Sequence, residues 1–317
     1  MREASEHVLV LDHLTKVYRD RTAVDDLSLE VAGGEILGFV GPNGAGKTTT
    51  IRMALNLVRP TSGAVRILGQ DVWRRGGRVL ARVGALIEEP TLYPDLSGRD
   101  NLRAFGTALG GLSPGFIEKL LDVVGISERQ HDRVRTYSLG MKQRLGLAVA
   151  LIGDPDLLVL DEPANGLDPI GIADMRDLLR RLADDGRAIF LSNHVLHEVE
   201  VLCDRVAIID QGRLVREGQV GTLLGGNGEF IVRVDQPQAA LAVLQAQPWG
   251  ASARIRAGRL VSPSPTGRGR DLWAFLDAAG QTPETLDYAR RGLEDVFLDA
   301  TAATAATAAA AAAGEGQ

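Results

Sequence analysis

Short apolar runs alternate with stretches of helical spacing along most of the chain, and the two periods separate strand from helix. Val8-Leu9-Val10-Leu11 and Leu27-Ser28-Leu29-Glu30-Val31 read as strands, with Tyr18 between them. Ile36-Leu37-Gly38-Phe39-Val40 is a third apolar run. It breaks into Gly41-Pro42-Asn43-Gly44-Ala45-Gly46, and Met53, Ala54, Leu55 and Leu57 then restart the pattern as a helix. A turn at Pro60-Thr61-Ser62-Gly63 leads to a strand at Ala64-Val65-Arg66-Ile67-Leu68, and a further run, Val83-Gly84-Ala85-Leu86-Ile87, ends at Glu88-Glu89-Pro90. Helical spacing then dominates in Leu102, Phe105 and Leu109, in Phe116, Leu120, Leu121 and Val124, and in Leu145, Ala148 and Val149. Residues from about 88 to 150 therefore predict a helical insertion into an α/β core.

Leu157-Leu158-Val159-Leu160 is almost wholly apolar, as expected of a strand buried on both faces in the middle of a parallel sheet. A helix over roughly 171–185, a strand at Arg187-Ala188-Ile189-Phe190-Leu191 and a hairpin around Gln211-Gly212 complete a first domain, 1–220. Gly225-Gly226-Asn227-Gly228 reads as a joint. A second, smaller α/β domain follows over 221–300: strand Phe230 to Val234, helix Ala239 to Gln245, strand Ala253 to Val261, helix Asp271 to Ala279 and a last helix Gly292 to Ala300. Residues 301–317 are an Ala/Thr low-complexity tail.

Composition narrows the function classes. At 317 residues and 45% hydrophobic the chain can bury more than one core. A net charge of −6 leaves no overall basic footprint, so nucleic acid is not an expected partner. A single cysteine, Cys203, precludes an internal disulfide and fits a reducing compartment. The start lacks the basic and apolar regions of a secretory signal, and no apolar run approaches the about 18 residues of a spanning helix. If the protein works at a membrane, another chain must cross it. Lysine is scarce, only Lys16, Lys47, Lys119 and Lys142, so Lys47 inside the glycine loop stands out.

The candidate chemistry begins at that loop. Gly41, Gly46, Lys47 and Thr48 fill G-x-x-x-x-G-K-[ST], a pattern that chance would produce in a chain this long on the order of one time in a hundred. Glycines let backbone N–H groups close around an anion, and the helix beginning near Gly46 turns its positive end to the same point. Pro42, Asn43, Gly44, Ala45 and Thr49 complete the cradle, Lys47 can reach the outer phosphates and the Thr48 hydroxyl can serve Mg²⁺. Asp161 and Glu162 end the apolar strand, where open α/β sheets place their ligands. Asp161 can hold the hydration shell of Mg²⁺, and Glu162 can orient an attacking water or take its proton. His194 sits at another strand end, where a neutral imidazole can donate to a γ-phosphate oxygen or hold the water. Its neighbour His197 would suggest a metal, but no third ligand is apparent. Tyr18 is either sheet packing or a platform for adenine, and pattern alone favours packing.

Between the helical insertion and the acidic strand lies Tyr137-Ser138-Leu139-Gly140-Met141-Lys142-Gln143-Arg144. Together with the phosphate loop, Leu157 to Glu162, Asn165-Gly166-Leu167-Asp168 and His194, in this order, it resembles the ATP-binding subunit of ABC transporters over roughly residues 8–220. The usual Leu-Ser-Gly-Gly-Gln signature is here Tyr-Ser-Leu-Gly-Met, which keeps Ser138 and Gly140. The resemblance implies a P-loop NTPase of ABC ATPase type: a RecA-like core, an antiparallel β subdomain, a helical subdomain and a small C-terminal α/β accessory domain. It implies ATP and Mg²⁺ as ligands, an adenine-stacking role for Tyr18, and a head-to-tail homodimer in which Ser138 and Gly140 touch the γ-phosphate in trans. Asp168 would lie on the loop beside the dimer axis. Glu88 would stand in the loop that couples the core to the helical subdomain, facing the metal with Thr48 and Asp161.

Glu88-Glu89-Pro90 and the altered signature look most like the bacitracin and lantibiotic resistance subgroup, and Gly292-Leu293-Glu294-Asp295-Val296-Phe297-Leu298 looks like the end of daunorubicin-type drug export ATPases. The expected function is therefore ATP hydrolysis that powers an exporter of an antibiotic, peptide or drug, at the cytoplasmic face of the membrane, with a separate multi-span permease. The competing expectation is a soluble ABC-type ATPase acting on ribosomes or DNA. Such proteins usually carry two cassettes or a long coiled-coil insertion, and neither is present. A GTPase-class switch would need an Asn-Lys-x-Asp guanine motif, which does not occur.

Overall fold

Two long strands, β1 (Leu9–Tyr18) and β2 (Arg21–Val31), pair antiparallel from Leu9↔Val31 to Tyr18↔Arg21. Their alternating burial, with Leu9, Leu11, Leu14, Val24, Leu27, Leu29 and Val31 inside, is the period-two pattern of a sheet with one face on a core. The structure is a computed structural model and describes residues 7–87, 90–224, 229–256, 258–289 and 292–301. Its contacts divide the chain into two compact units, one ending at Gly218 and the other starting at Gln219.

In the first unit, β3 (Ile36–Val40) leads through the glycine loop into α1 (Lys47–Ala54). Next come β4 (Ser62–Ile67), β5 (Gln70–Asp71), α2 (Val72–Leu80) and β6 (Val83–Leu86). The helical insertion holds α3 (Gly98–Gly106), α4 (Pro114–Val124) and α5 (Leu139–Ala150). Then follow β7 (Leu157–Asp161), α6 (Pro169–Asp184), β8 (Ala188–Ser192), α7 (Leu196–Leu202), β9 (Arg205–Asp210) and β10 (Arg213–Gln219).

Two sheets result. One is antiparallel, in the order β2-β1-β4-β5, and the other runs β10-β9-β3-β8-β7-β6 with β9, β3, β8, β7 and β6 parallel. All five residues of β3 are buried, as are the first four of β7, because both faces of these central strands are covered. Phe39 and Phe190 pack across β3 and β8 with ring centroids 5.1 Å apart. The order brings the C-terminal ends of β3, β8 and β7 side by side, and the loops that follow them carry the chemistry.

Each helix of the insertion starts on a serine. Ser97, Ser113 and Ser138 accept from the backbone N–H of Asp100, Phe116 and Met141. Arg144 fixes α5 from two sides, donating to Val124 O at 2.9 Å on α4 and to Asp174 at 2.7 Å on α6. Tyr137, where the resembled family has leucine, is buried, and its hydroxyl donates to Arg129 O at 2.7 Å.

The second unit opens with α8 (Val220–Leu224) and continues through β11 (Glu229–Arg233), α9 (Pro237–Gln245), β12 (Arg254–Arg256), β13 (Arg259–Ser262), α10 (Gly269–Ala278) and β14 (Thr285–Ala289), and residues 293–301 are helical. Its sheet is antiparallel in the order β12-β13-β11-β14, the β-α-β-β-α-β plan of ferredoxin-like folds. The single strand expected from Ala253 to Val261 is a hairpin instead. The chain reverses near Gly258, whose φ of 76° is open to glycine and strained for other residues. Strand β14 was not expected at all. The joint at 225–228 and the tail from 302 lie outside the described residues.

Candidate functional site

The phosphate loop is a turn that only its own sequence permits. Gly46, the residue before α1, has φ 110°, and a Cβ there would meet Ala23 O at 2.4 Å. A Cβ on Gly41 would meet Ile209 O at the same distance, so the loop is seated against β2 and β9 as closely as backbones allow. Gly212 N donates to Ala45 O and Asp25 N to Gly212 O, both at 2.9 Å, which clamps the loop between two hairpins. Lys47 is 8% exposed, and its ammonium donates to Gly41 O at 2.6 Å and to Pro42 O at 3.2 Å. Burial pushes its pKa below 10.5, opposed by the nearby charges of Glu162 and Asp161. Thr50 Oγ1 donates to Gly46 O, which leaves Thr48 and Thr49 as the threonines facing the cleft.

Asp161 and Glu162 follow from the C-terminal end of β7. Ser192, opposite Asp161 in the parallel register, donates its hydroxyl to Asp161 Oδ1. Glu162 turns out of the strand with φ 50°, its N–H held by Ser192 O at 3.1 Å. That left-handed backbone is costly for a non-glycine residue, on the order of 1–3 kcal/mol, and it aims the carboxylate away from the sheet. His194 Nδ1 lies 3.0 Å from Glu162 Oε2. The contact places the imidazole beside the carboxylate at the strand ends.

A cleft of about 810 Å³ joins these groups. Its walls include Tyr18, Asn43, Gly44, Gly46, Lys47, Thr48, Thr49, Asp161 and Glu162, together with Arg21, Leu139, Gln143, Asn165 and Gly166. Tyr18 is 44% exposed, so its ring is not packed in a core, and the Lys16 ammonium lies over it 4.8 Å from the centroid. Thr48 and Asp161 supply only oxygen donors. Among the described residues no three His, Cys, Asp or Glu side chains form a metal cage.

Ser138 caps α5 and Asp168 caps α6, the latter accepting from Gly171 N at 2.9 Å. Ser138 is exposed, and neither it nor Gly140 lines the chain's own cleft. Leu139 does, and its side chain lies over Gly166. Glu88 lies outside the described residues.

Three residues escaped the sequence reading. Ser192 had a signal, a hydroxyl ending an apolar strand. Arg21 had none beyond its place near Tyr18. Gln143 is 4% exposed, and its Oε1 has no hydrogen-bond partner among the described residues. Only the meeting of α5 with the cleft reveals it.

Comparison with known proteins agrees with this site. A family model described as ABC transporter matches residues 24–165. The ABC transporter ATP-binding protein YhcH of Bacillus subtilis (strain 168) is 45% identical over 239 residues, 75% of this chain and 78% of that protein. BcrA of Bacillus licheniformis, a bacitracin transport ATP-binding protein, is 46% identical over 205 residues, 64% of this chain and 67% of its own. Among solved structures, cbiO1 of Clostridium perfringens, part of the ABC transporter complex cbiONQ, is 26% identical with a TM-score of 0.64, covering 69% of this chain and 91% of that one. The fold is the P-loop NTPase of ABC ATPase type that the sequence led us to expect. With a relative this similar over more than two thirds of its length, the chain belongs to the ABC transporter family as one of its ATP-binding proteins.

Proposed function

We propose that this chain is the ATP-hydrolysing subunit of an exporter for an antibiotic, peptide or drug, with the membrane path supplied by a separate permease. The observation that carries the chemistry is the meeting of Lys47, Thr48, Asp161 and Glu162 in one cleft, with His194 against Glu162. The cargo class rests on BcrA, whose name assigns it to bacitracin transport, and the direction on a relative named as a Nod factor export ATP-binding protein. No helix among the described residues is long and apolar enough to cross a membrane; the place at the cytoplasmic face follows from this reading, in which a separate permease spans the membrane.

In this reading Tyr18 stacks on adenine and the loop from Gly41 to Thr49 wraps the phosphates. Lys47 exchanges Gly41 O and Pro42 O for phosphate oxygens, regaining as ion pairs what burial costs it. Mg²⁺, held by Thr48, Asp161 and the nucleotide, would neutralise charge on the transferring phosphoryl group. Glu162 orients the attacking water, His194 fixes the Glu162 carboxylate, and Ser192 fixes Asp161. A second copy adds Ser138 and Gly140 to the γ-phosphate from the N-terminal end of α5.

The test is Glu162→Gln. ATP affinity should persist while turnover drops by at least about 100-fold, the low end of general-base contributions, and an ATP-held dimer should accumulate in sedimentation. Unchanged turnover would remove Glu162 from the reaction.

A further inference from the structure

Arg21 is the other cation on the wall of the cleft besides Lys47, among its described residues, and nothing in the family motifs accounts for it. It pairs with Tyr18 in the register of β1 and β2, so the aromatic ring and the guanidinium stand side by side at the tip of one hairpin. Its Nη2 donates to Gly44 O at 3.2 Å, which reaches from that tip to the phosphate loop. A guanidinium carries five N–H donors, and this bond uses one. Arginines elsewhere in the unit are neutralised, Arg213 by Asp25 and Arg205 by Glu35 and Glu217. Arg21 has no carboxylate partner among the described residues, although Asp161 and Glu162 line the same cleft.

We propose that Arg21 is a second phosphate-binding cation of this site, gripping the nucleotide between the Tyr18 ring and the loop while Lys47 holds the outer phosphates. The inference rests on the reading of the cleft as an ATP site. It fits the chemistry of the ligand: a fork of N–H donors suits adjacent phosphate oxygens, which the point charge of Lys47 does not span. The bond to Gly44 O keeps the fork from swinging into solvent, so little ordering is left for the binding step.

The experiment compares adenosine, ADP and ATP, the nucleotides in the presence of Mg²⁺, by isothermal titration against the full-length protein and its Arg21→Gln and Arg21→Lys variants. Arg21→Gln should weaken ADP and ATP by about tenfold, the scale of one exposed charge-assisted contact, and leave adenosine unchanged. Arg21→Lys should restore part of the loss, since it keeps the charge without the fork. Arg21 is exposed, so the variants should keep the parent melting temperature. An unchanged ADP affinity would overturn the proposal, and so would an equal loss for adenosine, the mark of a residue that only latches the hairpin to the loop. Absence of ATP binding by the parent protein would instead overturn the nucleotide reading itself, and Lys47→Ala serves as the control that abolishes it.

Discussion

Lys47 shows how a single side chain can oppose the fold it serves. Burial lowers its pKa in the folded protein, so between that value and 10.5 the unfolded chain holds a proton that the fold does not. Stability of the free protein should therefore rise with pH across this window, and at neutral pH the cost of burying the charge is fully present. A bound phosphate acts in the other sense, favouring the protonated amine. ATP affinity should stay flat near neutral pH and fall as pH climbs toward about 10, beginning earlier than for an ordinary lysine. Titration calorimetry in buffers of different ionisation enthalpy should show proton uptake in that range. An affinity that does not decline there would mean that Lys47 does not carry the phosphate. Lys47 was legible in the sequence because its role is set within eight neighbouring residues. Ser192 and Gln143 were far less so, since each matters only through a partner or a cavity wall that the fold brings from a distant segment.

Among the elements, the strongest signals were the buried parallel strands and the capped helices, and the failures have local causes. Helix α2 was hidden because Trp73-Arg74-Arg75-Gly76-Gly77 breaks the apolar period, and the backbone departs from helical geometry at Arg75. The β12–β13 hairpin was hidden because its turn interrupts a run of suitable strand residues without a two-residue Asn-Gly type signal. Helix α6 shows a role for Asp168 that the sequence reading did not include. Asp168 belongs to a family motif, yet in the structure its carboxylate closes the first turn by accepting from Gly171 N. Asp168→Ala should cost about 1 kcal/mol of stability, whereas Asp168→Asn should stay within a few tenths of the parent, because asparagine caps equally well. Chemical denaturation measures both. Equal loss in the two variants would show that charge, not capping, is what the fold uses there.

At the scale of the molecule, the proposed function gives the first unit a site that a second copy would complete. Its cleft gathers the loop, Thr48, Asp161 and Glu162, while Ser138 and Gly140 begin α5 without lining that cleft. Their place at a helix N-terminus is an anion-binding geometry without an anion of its own chain to bind, which is why a second copy is the natural supplier. Leu139 makes that surface less glycine-like than the family pattern, and it is 40% exposed, so it adds apolar area where the copies would meet. Closure then depends on ATP, since the nucleotide is the group that both copies would touch. Turnover per subunit should accordingly fall as the protein is diluted, while at saturating ATP each subunit still binds the nucleotide, because the loop in cis can hold it alone. Turnover measured across a dilution series, with sedimentation reporting the monomer fraction, checks both halves of this expectation. Monomers that keep full turnover at high dilution would show that the cleft is complete in one chain.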